Sequence, residues 1–235
     1  MSESVFNRKR STEMGFTLVE IAIVLVIIGL LLGGILKGQE MITQAKIKNV
    51  INDFNGVTVA VTSYQDRYRA IPGDDKNATT RWTVQAPASG DGDGVIKAAN
   101  KYKDNDTNGA GGAPAATAES NLFWQHLRIA GFVPGPTTGT GSGTPPPNAA
   151  GGIVGVQNAD TTVPVGLGFT GLTVCSSNIP DKVAIAMDTQ IDDGNSATGQ
   201  VRAQLQGTAN PDLAATPATG YVETGVGQYL VCKAY

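Results

Sequence analysis

Three groups of side chains carry chemistry by type and spacing: two loops of alternating oxygen ligands, one cysteine pair, and one glutamate set in an apolar run. Ser89-Gly90-Asp91-Gly92-Asp93-Gly94-Val95-Ile96 and Asp104-Asn105-Asp106-Thr107-Asn108-Gly109 both place polar side chains at alternate positions, with glycine to permit a sharp turn. This is the opening of a calcium loop of EF-hand type, so Asp91, Asp93, Asp104, Asp106 and Asn108 are candidate ligands and calcium the candidate cofactor. Both loops are incomplete. The closing position, where a bidentate Glu is wanted, falls on Asn100 in the first and on Ala115 in the second. Asp, Asn and Gly favour turns on their own account, so a plain polar turn is the competing reading. Asp188, Asp192 and Asp193 form a third acidic group, read as a solvated helix end.

Little else points to catalysis. His126 is the only histidine, with no Cys or second His at ligand spacing, and reads as a helix-face residue partly covered by Phe123 or Trp124. No Ser–His–Asp arrangement, phosphate-binding glycine loop or acid/base carboxylate pair stands out, so the chain reads as a non-enzyme. A net charge of -3, with no Lys/Arg cluster after the extreme N-terminus, argues against nucleic acid as the primary partner.

The glutamate is Glu20. A polar stretch carrying Arg8, Lys9 and Arg10 leads into Gly15-Phe16-Thr17-Leu18-Val19-Glu20, and an apolar run then extends from Ile21 to Leu36. From Phe16 onward the segment reaches the ~20 residues that cross a bilayer as a helix. The basic cluster holds the N-terminus in the cytoplasm and sends everything after Lys37 across. No small-residue cleavage site follows the apolar run, so the run is expected to be retained. A carboxylate at this depth is costly, and its functional reading requires a cation in the same layer; the bland reading is a residue at the interface. In an exported domain Cys175 and Cys232 favour a disulfide over two buried thiols. By loop closure it would contribute roughly 3–4 kcal/mol.

The stretch Gly15-Phe16-Thr17-Leu18-Val19-Glu20 with its long apolar helix resembles the prepilin family, the type IV pilins and the pseudopilins of type II secretion. The resemblance implies that a membrane-embedded prepilin peptidase cuts between Gly15 and Phe16 and methylates the new amine of Phe16. Glu20 would then pair with the terminal amine of a neighbouring subunit during assembly. Two charges that are each expensive in lipid offset one another when subunits dock in register. Many members carry a proline within the apolar helix; here Gly29, Gly33, Gly34 and Gly38 supply the weak helix points. The implied partners are other pilin subunits, the inner membrane, and the assembly platform and motor proteins. The precursor would sit in the inner membrane with its head in the periplasm, then in an extracellular pilus, where adhesion is one family role, or a periplasmic pseudopilus. The alternatives are a secretion pseudopilin and a membrane-anchored binding module that never polymerises.

The expected organisation is a leader over 1–15, a membrane or filament-core helix over 16–38, an amphipathic continuation over 39–70 and a head over 71–235. Ile47, Val50, Ile51, Phe54, Val57, Val61, Tyr64 and Tyr68 recur at three- and four-residue steps, one face of a helix. One helix from about Thr17 to Ala70 would be roughly 80 Å long, with a break at Gly56 as the alternative. Ile71-Pro72-Gly73-Asp74-Asp75 stops it. Further helices are expected over 121–130 and 180–191, strands over 201–205 and 228–232, and irregular chain over 134–152. Ile-Pro-Gly-Asp, Gly-Asp-Gly-Asp-Gly and Trp-Gln-His-Leu look similar to a large-domain subgroup of the same proteins. The fold class is therefore α+β, and the resemblance implies a pilin-like form: a long N-terminal helix packed on a small antiparallel sheet with long loops.

Overall fold

The computed structural model describes residues 15–96, 101–103, 118–139, 141–159 and 166–235. Their order is α1 (Leu18–Tyr68), α2 (Ala78–Arg81), α3 (Glu119–Ile129), β1 (Val154–Ala159), β2 (Gly171–Pro180), α4 (Asp181–Ile191), β3 (Val201–Leu205) and β4 (Gln228–Ala234). The fold is α+β. It divides into two compact units, one ending at Ile42 and one running from Thr43 to Tyr235.

In the first unit, α1 buries no large side chain. Phe16 is 84% exposed and Leu18 86%, and the leucines, isoleucines and valines through Leu36 are exposed as well. This helix is long and apolar enough to cross a membrane. In the second unit α1 is one-sided, as its spacing requires. Ile47, Val50, Phe54, Val57, Val61 and Tyr64 are buried and share one core with Phe123, Trp124 and Leu127 of α3. The helix passes through Gly56 without a break. It ends where Arg69 adopts a φ of 54°, a left-handed turn that a non-glycine residue makes at some cost, and Pro72 forbids continuation.

Four antiparallel strands lie in the order β1-β2-β4-β3. One face of the sheet joins α1, α3 and α4 through Val156, Val174, Val201, Ala203, Tyr229, Val231 and Met187. The other face packs Leu230, Cys175 and Cys232 with Tyr102, Ile153, Leu167, Phe169 and Leu213 from loops. Tyr102 comes so near the sheet that a Cβ on Gly155 would lie 1.9 Å from its carbonyl oxygen, so β1 needs glycine there. β2 is covered on both faces, and its hydroxyls are satisfied inside: Thr173 donates to the Gln157 carbonyl at 2.9 Å, and Ser177 to Asn210 at 2.5 Å. Asn148 donates to Ser176 Oγ and to the Ser177 carbonyl.

The irregular stretch after α3 is fastened by a buried cation. Arg128 donates to the carbonyls of Gly141, Ser142 and Thr144, at 3.2, 2.6 and 2.7 Å.

Candidate functional site

The start of α1 is built from four residues. Thr17 Oγ1 accepts the Glu20 N–H at 3.2 Å, and Glu20 Oε2 accepts both the Thr17 N–H and the Thr17 hydroxyl at 2.8 Å. This is a capping box: each side chain satisfies a backbone donor that the first turn leaves open. The carboxylate also stands at the positive end of the helix. Gly15 and Phe16 precede this box outside the helix, and both are exposed. Glu20 Oε1 accepts no bond from the described residues. The Thr-x-x-Glu pattern is a helix-start signal carried by the local sequence, and it gives Thr17 a role that the charge of Glu20 alone does not reveal.

The first acidic loop is organised by a residue from elsewhere. Asp74 is buried, and its carboxylate accepts the N–H groups of Gly92, Asp93 and Gly94 at 2.7, 3.1 and 2.8 Å. Asp91 accepts the Asp93 N–H, and Asp93 the Val95 N–H, so both side chains also brace local turns. Asp91 stands with Asp74 and Glu119, their carboxylate oxygens within 4.8 Å of one another; Asp93 is outside that trio. The three carboxylates offer oxygens of the kind calcium takes, while both oxygens of Asp74 already accept backbone N–H groups. Asp104, Asp106 and Asn108 lie outside the described residues.

A buried polar knot closes the end of α1. Asp75 accepts the Tyr64 hydroxyl at 2.7 Å and the Asn77 N–H at 2.9 Å, and it pairs with Arg81. Burial opposes its charge, yet these donors hold its carboxyl below the usual range. His126 is fully buried, and its ring stacks on Tyr64 at 6.3 Å. Its Nδ1 accepts the Gly73 N–H at 3.0 Å, so Nε2 carries the proton and donates to the Ala88 carbonyl at 2.9 Å. Burial pushes its pKa down, consistent with a neutral ring. Gly73, at φ 92°, can have no side chain, because a Cβ would meet the Glu119 carbonyl at 2.4 Å. The histidine is a structural tie between two loops, buried more deeply than a half-covered helix face.

The acidic group on α4 differs from its expected solvated form. Asp188 is fully buried and accepts the Tyr221 hydroxyl at 2.7 Å, while Asp192 and Asp193 accept the Val201 N–H and the Thr198 hydroxyl. At the other end of α4, Asp181 accepts the N–H groups of Thr224 and Gly225, each at 2.7 Å. Both buried carboxylates therefore hold the loop that precedes β4. The cysteines face each other across β2 and β4 and form a disulfide that joins positions 57 residues apart.

Compared with family models, curated proteins and solved structures, the chain finds no match among any of the three.

Proposed function

We propose that this chain is a structural subunit of a type IV pilus-like filament, made as a membrane-anchored precursor and matured by cleavage between Gly15 and Phe16 with methylation of Phe16. The observation that carries the reading is a contrast within α1. Its second half buries a single face in the head, whereas from Leu18 to Leu36 its large apolar side chains are all left exposed. A surface of this size is covered either by lipid or by other apolar helices, and a filament subunit needs each in turn.

Glu20 gives the assembly its register. Its Oε2 is committed to Thr17, and Oε1 is the atom left to receive the terminal amine of a neighbouring copy. Thr17 thereby orients the carboxylate. A long helix beside an antiparallel sheet is the pilin-like arrangement that the prepilin resemblance implies. The partners in this reading are the prepilin peptidase, further copies of the subunit, the inner membrane and the assembly machinery. Imaging of sheared surface fractions tests it: filaments are expected from the parent chain and not from Glu20→Val, which should still be processed. Processed protein that stays in the membrane as isolated subunits would identify a lone anchored module instead.

A further inference from the structure

Asn77-Ala78-Thr79 lies just beyond the turn that ends α1. Asparagine followed two positions on by Ser or Thr, with no proline between, is the acceptor pattern for N-linked sugar on the surface of an exported protein. Asn105-Asp106-Thr107 repeats it outside the described residues, and no other asparagine of the chain has Ser or Thr at that spacing. The chemistry uses both residues: the side-chain amide is the nucleophile, and the hydroxyl is what the transferase reads.

The backbone of Asn77 is held, and its side chain is not. Its N–H donates to Asp75 at 2.9 Å, and its carbonyl accepts the Thr80 hydroxyl at 2.9 Å. Asn77 stands at the N-cap of α2, where an asparagine side chain ordinarily accepts a backbone N–H, yet it caps nothing. It is exposed, and its amide makes no hydrogen bond with the described residues. Beside it opens a cavity of about 480 Å³, lined by Tyr68, Ile71, Lys76, Asn77 and Gly92. That volume falls within the range of small-molecule sites, so a first sugar on Asn77 has room without displacing the fold. Asp74 and Asp75 also reach the cavity, but their carboxylates are already engaged by the N–H, hydroxyl and guanidinium donors of the fold.

Thr79 sets the order of events. Its hydroxyl donates to the Pro87 carbonyl at 2.8 Å, and its N–H to Ser89 Oγ at 3.1 Å. His126 in turn ties Ala88 into the head. The hydroxyl is therefore available before the 87–89 loop closes and committed afterwards.

We propose that Asn77 is the acceptor of an N-linked glycan, added during export from a lipid diphosphate-linked oligosaccharide. A bond forms between Asn77 Nδ2 and C1 of the first sugar while the bond from C1 to the diphosphate oxygen breaks. The lipid diphosphate leaves with that electron pair, and the proton lost from Nδ2 ends on the diphosphate or in solvent. The inference rests on the exported head of the proposed function and not on filament formation.

The test expresses the full chain with a periplasmic oligosaccharyltransferase and its lipid-linked donor, in cells where a reference acceptor protein is glycosylated. The tryptic peptide that contains Asn77 should gain the mass of one glycan, and an oxidised Cys175–Cys232 pair reports that the head was exported. Asn77→Gln and Thr79→Val should lose the glycan, whereas Thr79→Ser and Thr80→Val should keep it. The purified, folded chain given the same transferase and donor should be modified more slowly than the chain during export. An unmodified peptide in a chain with oxidised cysteines would overturn the proposal, as would sugar that persists on Thr79 or Thr80 in Asn77→Gln. Equal rates on folded and exporting chains would overturn the order assigned to Thr79. Reduced cysteines with no glycan would overturn the export on which the inference rests.

Discussion

The two halves of α1 form one continuous helix and both draw on Ile and Val, yet they solve opposite problems. Between Thr43 and Tyr68 apolar side chains recur on one face, and Lys46, Lys48, Asn52 and Asn55 occupy the rest. A core lies on one side only, and the helix is anchored by Phe54, Val61 and Tyr64. Between Leu18 and Leu36 apolar side chains surround the helix, and none of the large ones is buried by the described residues. An apolar stripe is completed by the chain's own head, whereas an apolar cylinder is completed only from outside. The difference separates what keeps the head folded from what, on the filament reading, would meet a membrane or a neighbouring subunit.

Removing the disulfide is the largest expected break on the folding side. Cys175→Ser with Cys232→Ser should lower head stability by about 4 kcal/mol for a 57-residue span, read as a shift in the urea midpoint, with membrane association unchanged. Next, Phe54→Ala should cost about 3–4 kcal/mol of head stability, because a fully packed aromatic leaves a cavity. Leu25→Ala, on the exposed half, should leave that midpoint where it is and reduce membrane retention or filament yield. Equal effects of these two substitutions on head stability would erase the distinction between the halves.

The buried histidine sharpens the comparison further, because it reports on the head alone. The folded state holds His126 neutral with its pKa depressed, whereas the unfolded chain titrates near about 6.5. Its contribution is therefore complete above that value and is lost as pH falls through the lower folded pKa. Urea midpoints measured between about pH 7.5 and pH 5 should fall in the parent. In His126→Gln that dependence should flatten, with some stability lost throughout.

The smallest effect is at the helix start. Thr17→Val should remove the cap, worth about 1 kcal/mol of helix stability, visible as faster amide exchange over the first turn. On the filament reading it should also slow incorporation by freeing Glu20 from its fixed orientation.

Much of this architecture was legible because its determinants are local. The course of α1, the helices near 121–130 and 180–191, and the strands at 201–205 and 228–232 follow from periodicity and capping residues, and each lies within a residue or two of its expected place. β1 and β2 were not legible. β2 is a central strand whose buried positions include Thr173, Ser176 and Ser177, so it lacks apolar alternation, and the partners that satisfy those hydroxyls are remote in sequence. The acidic loop failed to declare itself for the same reason. Asp91 and Asp93 look like a self-contained ligand set, yet the carboxylate at the loop's centre is Asp74, which arrives from the end of α1. Asp188 resembled a solvated helix end because its partner, Tyr221, lies 33 residues away.

The central claim concerns the fate of the apolar half of α1. Co-expression of the full chain with a prepilin peptidase, followed by mass spectrometry of the membrane and sheared-surface fractions, tests it directly. The expected product lacks residues 1–15, begins at Phe16 and carries one methyl group on its terminal amine. A mature protein that begins beyond Leu36 and is recovered free of membrane and fibre would contradict the account.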